Sequence, residues 1–181
     1  MRSDVTLHQF LDKTMALMSD PNVGPPAGSC GALAGSMAAA LIASACAEGI
    51  EHCRSEKAED ELLDMRRRCL SLKRDLLALV EHGAQAATAM TDSHRPGRES
   101  AIPAQVARER LRALLFASEV PLRTAESCHA LLNLALRTLS RTGIRGIAEI
   151  GTGTALAFAG VIGGIVTTRS YLAAVPPGAE M

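Results

Sequence analysis

Apolar residues recur with a helical period over most of this 181-residue chain. In the first segment Leu7, Leu11, Met15 and Met18 are three or four residues apart, which places their side chains on one face of a helix. Proline- and glycine-containing segments separate the periodic regions, and no segment has the alternating pattern of a strand. The pattern predicts helices over residues 6–19, 29–46, 56–90, 103–141 and 147–172.

Polar residues and prolines define where these helices should begin, end or break. Thr6 and Ser29 are suitable N-caps, because their hydroxyls can accept hydrogen bonds from free N–H groups of a first turn. Pro121 should kink or split the fourth helix, since an interior proline removes a hydrogen bond. We therefore expect an all-α bundle of five or six helices, with one domain over residues 1–175 and a flexible tail over 176–181.

Two segments, residues 23–47 and 150–168, carry no charge. Each is long enough to cross a bilayer, which needs roughly 20 apolar residues. Their composition argues against a membrane span, because alanine, glycine and serine dominate and contribute little to insertion. We expect two helices buried on nearly all sides, with a partner subunit covering one face, and hence a homodimer or higher homo-oligomer.

Composition excludes several classes of protein. The formal net charge is zero and aromatic residues make up 2% of the chain, which does not fit a nucleic-acid partner. The five cysteines form no C-x-x-C motif and no secretory signal opens the chain, so reduced thiols in a cytoplasmic protein are expected. Adjacent pairs such as Cys128-His129 point in different directions on a helix, so we expect no metal site.

Three segments carry a resemblance to a known family. They are V-G-P-P-A-G-S-C-G-A-L-A-G starting at Val23, E-V-P-L starting at Glu119, and I-A-E-I-G-T-G-T-A-L-A starting at Ile147. Together they resemble the formimidoyltetrahydrofolate cyclodeaminase and methenyltetrahydrofolate cyclohydrolase family, which typically shows P-x-P-G-G-G-S-x-x-A-L-A-G and V-S-D-A-G-V in the outer two. The resemblance covers almost the whole chain and implies a helical enzyme that acts on a small molecule.

The resemblance also implies a substrate-binding turn. Pro25, Gly28, Ser29 and Gly151 match the family pattern, and Ala27 replaces a glycine. A turn that leads into a helix can present backbone N–H groups to a ligand, and small residues allow a close approach. The alternative is a tight turn with a serine cap and no ligand.

Candidate catalytic residues lie at or beside positions where the family has aspartates. Glu149 takes the place of one, and Gly83 takes the place of another on the middle helix, directly after Glu81 and His82. A carboxylate can stabilise a cationic folate carbon, and histidine can transfer a proton near neutral pH. A first-turn carboxylate also simply favours the helix dipole, and Glu81 and His82 also fit a solvated helix face.

The resemblance implies action on a C–N bond of methenyl- or formimino-tetrahydrofolate, with the folate as substrate and no permanently bound cofactor. One alternative is a relative that forms or opens a nitrogen-containing ring on another substrate, and another is a non-catalytic assembly protein. The enzymatic interpretations require the turn at residues 25–29 to approach Glu149, within one subunit or across a subunit boundary.

Overall fold

The computed structural model describes residues 6–19, 27–93 and 103–175. Within these ranges the chain is helical throughout apart from short turns, which confirms the all-α prediction. The five helices are α1 (Leu7–Ser19), α2 (Ala27–Glu51), α3 (Glu56–Ser93), α4 (Pro103–Thr142) and α5 (Ile147–Ala173).

The N-terminal helix α1 begins as the sequence predicts. The Thr6 hydroxyl accepts a hydrogen bond from the Gln9 N–H at 3.3 Å, and the Gln9 side chain accepts one from the Thr6 N–H at 3.0 Å. This reciprocal pair satisfies two donors that the first turn leaves free. Leu11 and Met15 of α1 are exposed.

Helices α2 to α5 form the bundle, and its closest approaches occur at small residues. Gly31 of α2 lies against Gly160 of α5, and Gly153 of α5 lies against Ala38 of α2, so the two helices are antiparallel. A Cβ atom at Gly160 would lie 3.1 Å from the carbonyl oxygen of Gly31. The glycines therefore allow these two backbones to approach closely.

Helix α4 continues through Pro121, so the alternative of a split helix and a six-helix bundle is wrong. Pro121 is buried, with its Cβ 3.2 Å from the position that a Cβ at Gly28 would occupy. The Thr124 hydroxyl donates to the Val120 carbonyl oxygen at 3.0 Å. Contacts with neighbouring helices outweigh the one backbone hydrogen bond that the proline removes.

The two uncharged helices differ in how far the bundle covers them. By length and composition both α2 and α5 could cross a membrane, but 56% of the most apolar part of α2 is buried and only 28% of that of α5. The prediction that both are buried on nearly all sides is therefore wrong for α5 within one subunit. Phe158, Ile162 and Val166 form an exposed stripe along it, because each follows the last by one helical turn.

Candidate functional site

Ser29 carries the one hydroxyl group of the predicted substrate-binding turn, residues 25–29. It lies in the first turn of α2 and is 1% exposed, and its hydroxyl donates to the Val80 carbonyl oxygen of α3 at 3.2 Å. Helix α2 begins two residues earlier, at Ala27, so the prediction that Ser29 is the N-cap is wrong. The hydroxyl joins two helices instead.

Gly83 makes room for this hydroxyl. A Cβ atom at Gly83 would overlap the Ser29 hydroxyl oxygen, and it would lie 3.4 Å from the Ser29 Cβ. Both residues are buried. Ser29 thus occupies space that any side chain at position 83 would need.

A small cavity of about 10 Å³ lies beside this contact, which is roughly the space of one water molecule. All four bundle helices line it. The lining residues are Gly28, Ser29, Gly83, Ala86, Ala117, Val120, Pro121, Thr167 and Tyr171. The site is therefore a junction of four helices at one end of the bundle, where α2 starts and α5 ends.

Hydroxyl groups supply the side-chain polarity of this cavity. Ser29, Thr167 and Tyr171 carry them, and none of the described residues that line the cavity is a carboxylate or a histidine. Burial raises the pKa of the Tyr171 hydroxyl above its ordinary value. Tyr171 therefore remains protonated at neutral pH and can donate a hydrogen bond or a proton.

The predicted substrate-binding residues divide between this cavity and its surroundings. Gly28 and Ser29 line the cavity, and Ala27 is exposed beside them at the first position of α2. Pro25 lies outside the described residues. Gly151 is exposed on α5, and nothing lies within 4 Å of the position that a Cβ would take there.

The predicted catalytic residues do not line the cavity. Glu81 and His82 are exposed on α3, although they immediately precede Gly83. Glu149 is half-buried in the first turn of α5, and Thr167, which contacts Gly28, lies about five turns later. At ~1.5 Å per residue these positions on α5 are roughly 27 Å apart.

The prediction that the turn and Glu149 meet within one subunit is therefore wrong. Because α2 and α5 are antiparallel, the start of one lies beside the end of the other. The alternative, that they meet across a subunit boundary, stays a prediction.

Seven of the lining residues were not among the predicted site residues: Gly83, Ala86, Ala117, Val120, Pro121, Thr167 and Tyr171. The resembling segment E-V-P-L was a signal for Val120 and Pro121, but none of the resembling segments includes Thr167 or Tyr171. Sequence comparison alone did not show that these segments meet.

A second group with unusual chemistry lies in the core. A hydrogen bond from the Cys69 thiol lowers the pKa of the Cys46 thiol to about 7, and the Cys46 sulfur also lies 3.3 Å from the Thr138 hydroxyl. Both cysteines are fully buried, so this pair is inaccessible to a substrate. Among the described residues, no group of three or more histidine, cysteine or acidic side chains could hold a metal ion.

Comparisons with known proteins indicate the same family as the three resembling segments. The family model described as formiminotransferase-cyclodeaminase matches residues 6–175. Among solved structures, the chain is similar to formiminotetrahydrofolate cyclodeaminase from Thermotoga maritima, with a TM-score of 0.79 and 17% identity over 96% of this chain and 81% of that chain. At that identity the structural match establishes the fold. A comparison with curated proteins gave no match.

Proposed function

This chain belongs to the formiminotransferase-cyclodeaminase family, and we propose that it is an enzyme that acts on a C–N bond of a cyclic amidine-type one-carbon folate. The substrate would be methenyl- or formimino-tetrahydrofolate, and no cofactor would be permanently bound. One observation carries the proposal: two of the resembling segments, those that start at Val23 and Glu119, are far apart in sequence but meet at the cavity beside Ser29 and Pro121.

The groups at this cavity suit the addition of water to a cationic carbon between two nitrogens. A space of about 10 Å³ accommodates roughly one water molecule. The Ser29 hydroxyl donates to Val80, so its lone pairs remain free to accept a hydrogen bond from that water. The protonated Tyr171 hydroxyl can donate a proton to the nitrogen that leaves when the ring opens, and the resulting tyrosinate can take up the proton that the added water loses.

The start of α2 adds donors to the same place. The first N–H groups of a helix have no acceptor within the helix, and here they belong to residues at and next to Gly28 and Ser29. Such donors favour anionic or carbonyl oxygens of a ligand. A folate ring would therefore lie across the start of α2, with the cavity beneath its reactive carbon.

Loss of the near-ultraviolet absorbance of methenyl-tetrahydrofolate measures this reaction directly. We expect Tyr171→Phe to lower kcat by about 100-fold, because a positioned proton donor typically contributes that much. Ser140→Ala is the control, since it removes an exposed hydroxyl outside the cavity lining. Absence of hydrolysis at high enzyme concentration, or equal rates for Tyr171→Phe and the unaltered chain, would contradict the proposal.

The proposed enzyme is a homodimer, because α5 leaves an apolar stripe uncovered. The stripe consists of three large apolar residues that are roughly half exposed: Phe158 (58%), Ile162 (46%) and Val166 (61%). A contiguous apolar patch of this kind marks a surface that binds a partner. Glu48 lies at the end of α2, and Arg169 lies at the opposite end of the bundle. A second copy that packs antiparallel against the exposed stripe of α5 would bring Glu48 of one subunit to the end of the bundle where Arg169 of the other lies.

This arrangement would also supply the missing carboxylate. It would bring Glu149 of the partner subunit toward the end of the bundle that holds Tyr171. Mixing Glu149→Gln with Tyr171→Phe subunits should then restore activity that neither variant has alone. Two inactive variants that stay inactive after confirmed subunit exchange would exclude a shared site.

Light scattering tests the interface itself. Phe158→Glu should convert the dimer into a monomer, because it places a charge in the exposed stripe of α5. Leu136→Glu is a matched control, since Leu136 is 69% exposed on α4 and should tolerate the charge without dissociation. A monomeric unaltered chain would refute the dimer.

A second candidate function follows from the size of the cavity. A space of about 10 Å³ is far below the roughly 300 Å³ of an ordinary ligand pocket, and Gly83 replaces the aspartate that the resemblance implies there. These features favour a family member that forms or opens a nitrogen-containing ring on a smaller, non-folate substrate. If methenyl-tetrahydrofolate binds without turnover, the result supports a non-catalytic role. If it does not bind, the result supports the smaller, non-folate substrate.

We further propose that the protein is soluble and cytoplasmic. Charged residues lie on the exposed faces of α3 and α4, and the bundle buries more than half of the most apolar part of α2. The alanine- and glycine-rich composition of both uncharged helices also contributes little to insertion into a membrane. Recovery of the protein in the membrane pellet after fractionation would contradict this.

A further inference from the structure

A groove of about 340 Å³ separates part of α3 from part of α4. Its middle is apolar, because Leu72 and the buried Leu134 lie at its base and the small side chain of Ala130 leaves room above them. Two turns earlier on α3, the same seam is closed by an ion pair between Glu61 and Arg141, with 2.6 Å between the oxygen and the nitrogen. None of the groove's lining residues lines the cavity beside Ser29.

One end of the groove is cationic. Arg68 of α3 and Arg137 of α4 both line it, and neither forms an ion pair with an acidic side chain in the described part of the chain. Two guanidinium groups near each other repel unless an anion lies between them. Their planar forks match the oxygens of a carboxylate or a phosphate.

The other end of the groove accepts hydrogen bonds. Asp75 lines it two turns after Arg68 on α3, which at ~1.5 Å per residue is roughly 10 Å away. Between the two ends, the Asn133 side-chain nitrogen donates to the His129 carbonyl oxygen at 3.3 Å, which leaves the amide oxygen of Asn133 as an acceptor. A ligand that satisfies this end must carry an N–H donor or a positive charge.

We propose that this groove binds an elongated zwitterion, with a carboxylate or phosphate between Arg68 and Arg137 and an amine at Asp75. Its body is apolar and roughly 10 Å long, to match the separation of the two ends and the leucines between them. The proposal is independent of the reaction at the cavity beside Ser29, because the two sites share no residue.

Titration of the full chain with 8-aminooctanoate, followed by NMR or calorimetry at low salt, tests this proposal. We expect saturable binding that is at least tenfold tighter than that of octanoate or octylamine, because only the zwitterion satisfies both ends. Arg137→Gln should weaken binding of the zwitterion by about tenfold. Arg67→Gln is the matched control, since this exposed neighbour on α3 does not line the groove and should leave binding unchanged.

Two further variants separate the ends and the body of the groove. Asp75→Asn should remove the advantage of the zwitterion over octanoate and leave octanoate binding as it was. Ala130→Phe should abolish binding of the zwitterion by filling the space above the leucines. Equal affinity for the zwitterion, octanoate and octylamine, an equal loss in Arg67→Gln, or no saturable binding of 8-aminooctanoate would overturn the proposal.

Discussion

The contact between Ser29 and Gly83 makes a quantitative prediction about coupling between α2 and α3. In Gly83→Ala, the new Cβ would overlap the Ser29 hydroxyl oxygen, whereas the Ser29 Cβ would be at 3.4 Å, an ordinary contact distance. The hydroxyl is thus the principal obstacle to a methyl group at position 83. Removing the hydroxyl should make the same substitution harmless.

The magnitudes follow from three effects. Alanine is favoured over glycine inside a helix by about 1 kcal/mol. Displacing the Ser29 hydroxyl loses its bond to Val80 and leaves a buried polar group without a partner, which costs about 2 kcal/mol. Gly83→Ala should therefore lower the free energy of unfolding by about 1 kcal/mol, despite its better helix propensity.

Ser29→Ala alone should also lower the free energy of unfolding by about 1 kcal/mol, through the lost hydrogen bond. In the double variant the hydroxyl is gone, so Gly83→Ala adds only its gain in helix propensity. The double variant should then be about as stable as the unaltered chain, which gives a coupling free energy of about 2 kcal/mol.

Urea unfolding followed by circular dichroism measures all four proteins, because the chain lacks tryptophan and is almost entirely helical. Gly163→Ala is the matched control: nothing lies within 4 Å of its Cβ position, so it should show the propensity gain alone. Effects that add to within ~0.5 kcal/mol, or a Gly83→Ala protein as stable as Gly163→Ala, would refute the proposed overlap.

Two further predictions concern the packing and titration of the core. Gly160→Ala should lower the free energy of unfolding in urea by about 1–3 kcal/mol, since its Cβ would lie 2.5 Å from the Cys128 sulfur; a loss no larger than that of Gly163→Ala would contradict this. Burial raises the pKa of the Cys128 thiol from 9.0 to about 11, so the folded chain keeps a proton that the unfolded chain releases above pH 9.0. The free energy of unfolding should fall by about 1.4 kcal/mol per pH unit between these values, and Cys128→Ala should remove that part of the slope; an identical slope in the variant would exclude this cause.

The helices were predictable because their physical causes are local. The predicted segment 56–90 compares with Glu56–Ser93 in the structure, and 147–172 compares with Ile147–Ala173. Periodicity of apolar residues and the placement of proline and glycine determine such boundaries. Of the two outcomes predicted at Pro121, only the split is wrong: α4 continues there, where Pro121 packs against Gly28 and Gly164, which are distant in sequence.

The site was only partly predictable, because its geometry depends on how helices pair. Family resemblance drew attention to Ser29, but only the antiparallel arrangement of α2 and α5 decides that Tyr171, and not Glu149, lies beside it. No pattern within one helix determines how α2 and α5 align against each other. That alignment is set by the glycines that let the two backbones approach along their whole length.

Among the described residues, no acidic side chain lines the cavity, and the glycine at position 83 accounts for one that the resemblance implies. In this chain the Ser29 hydroxyl takes the space that a Cβ at position 83 would need, and it donates to the Val80 carbonyl oxygen across the junction. A position that is acidic in the family therefore makes room here for a neutral hydrogen bond that joins α2 to α3. Because the start of α2 favours anions, the proposed cationic intermediate would need a carboxylate from outside the subunit, which makes the mixed Glu149→Gln and Tyr171→Phe experiment decisive for the proposed chemistry.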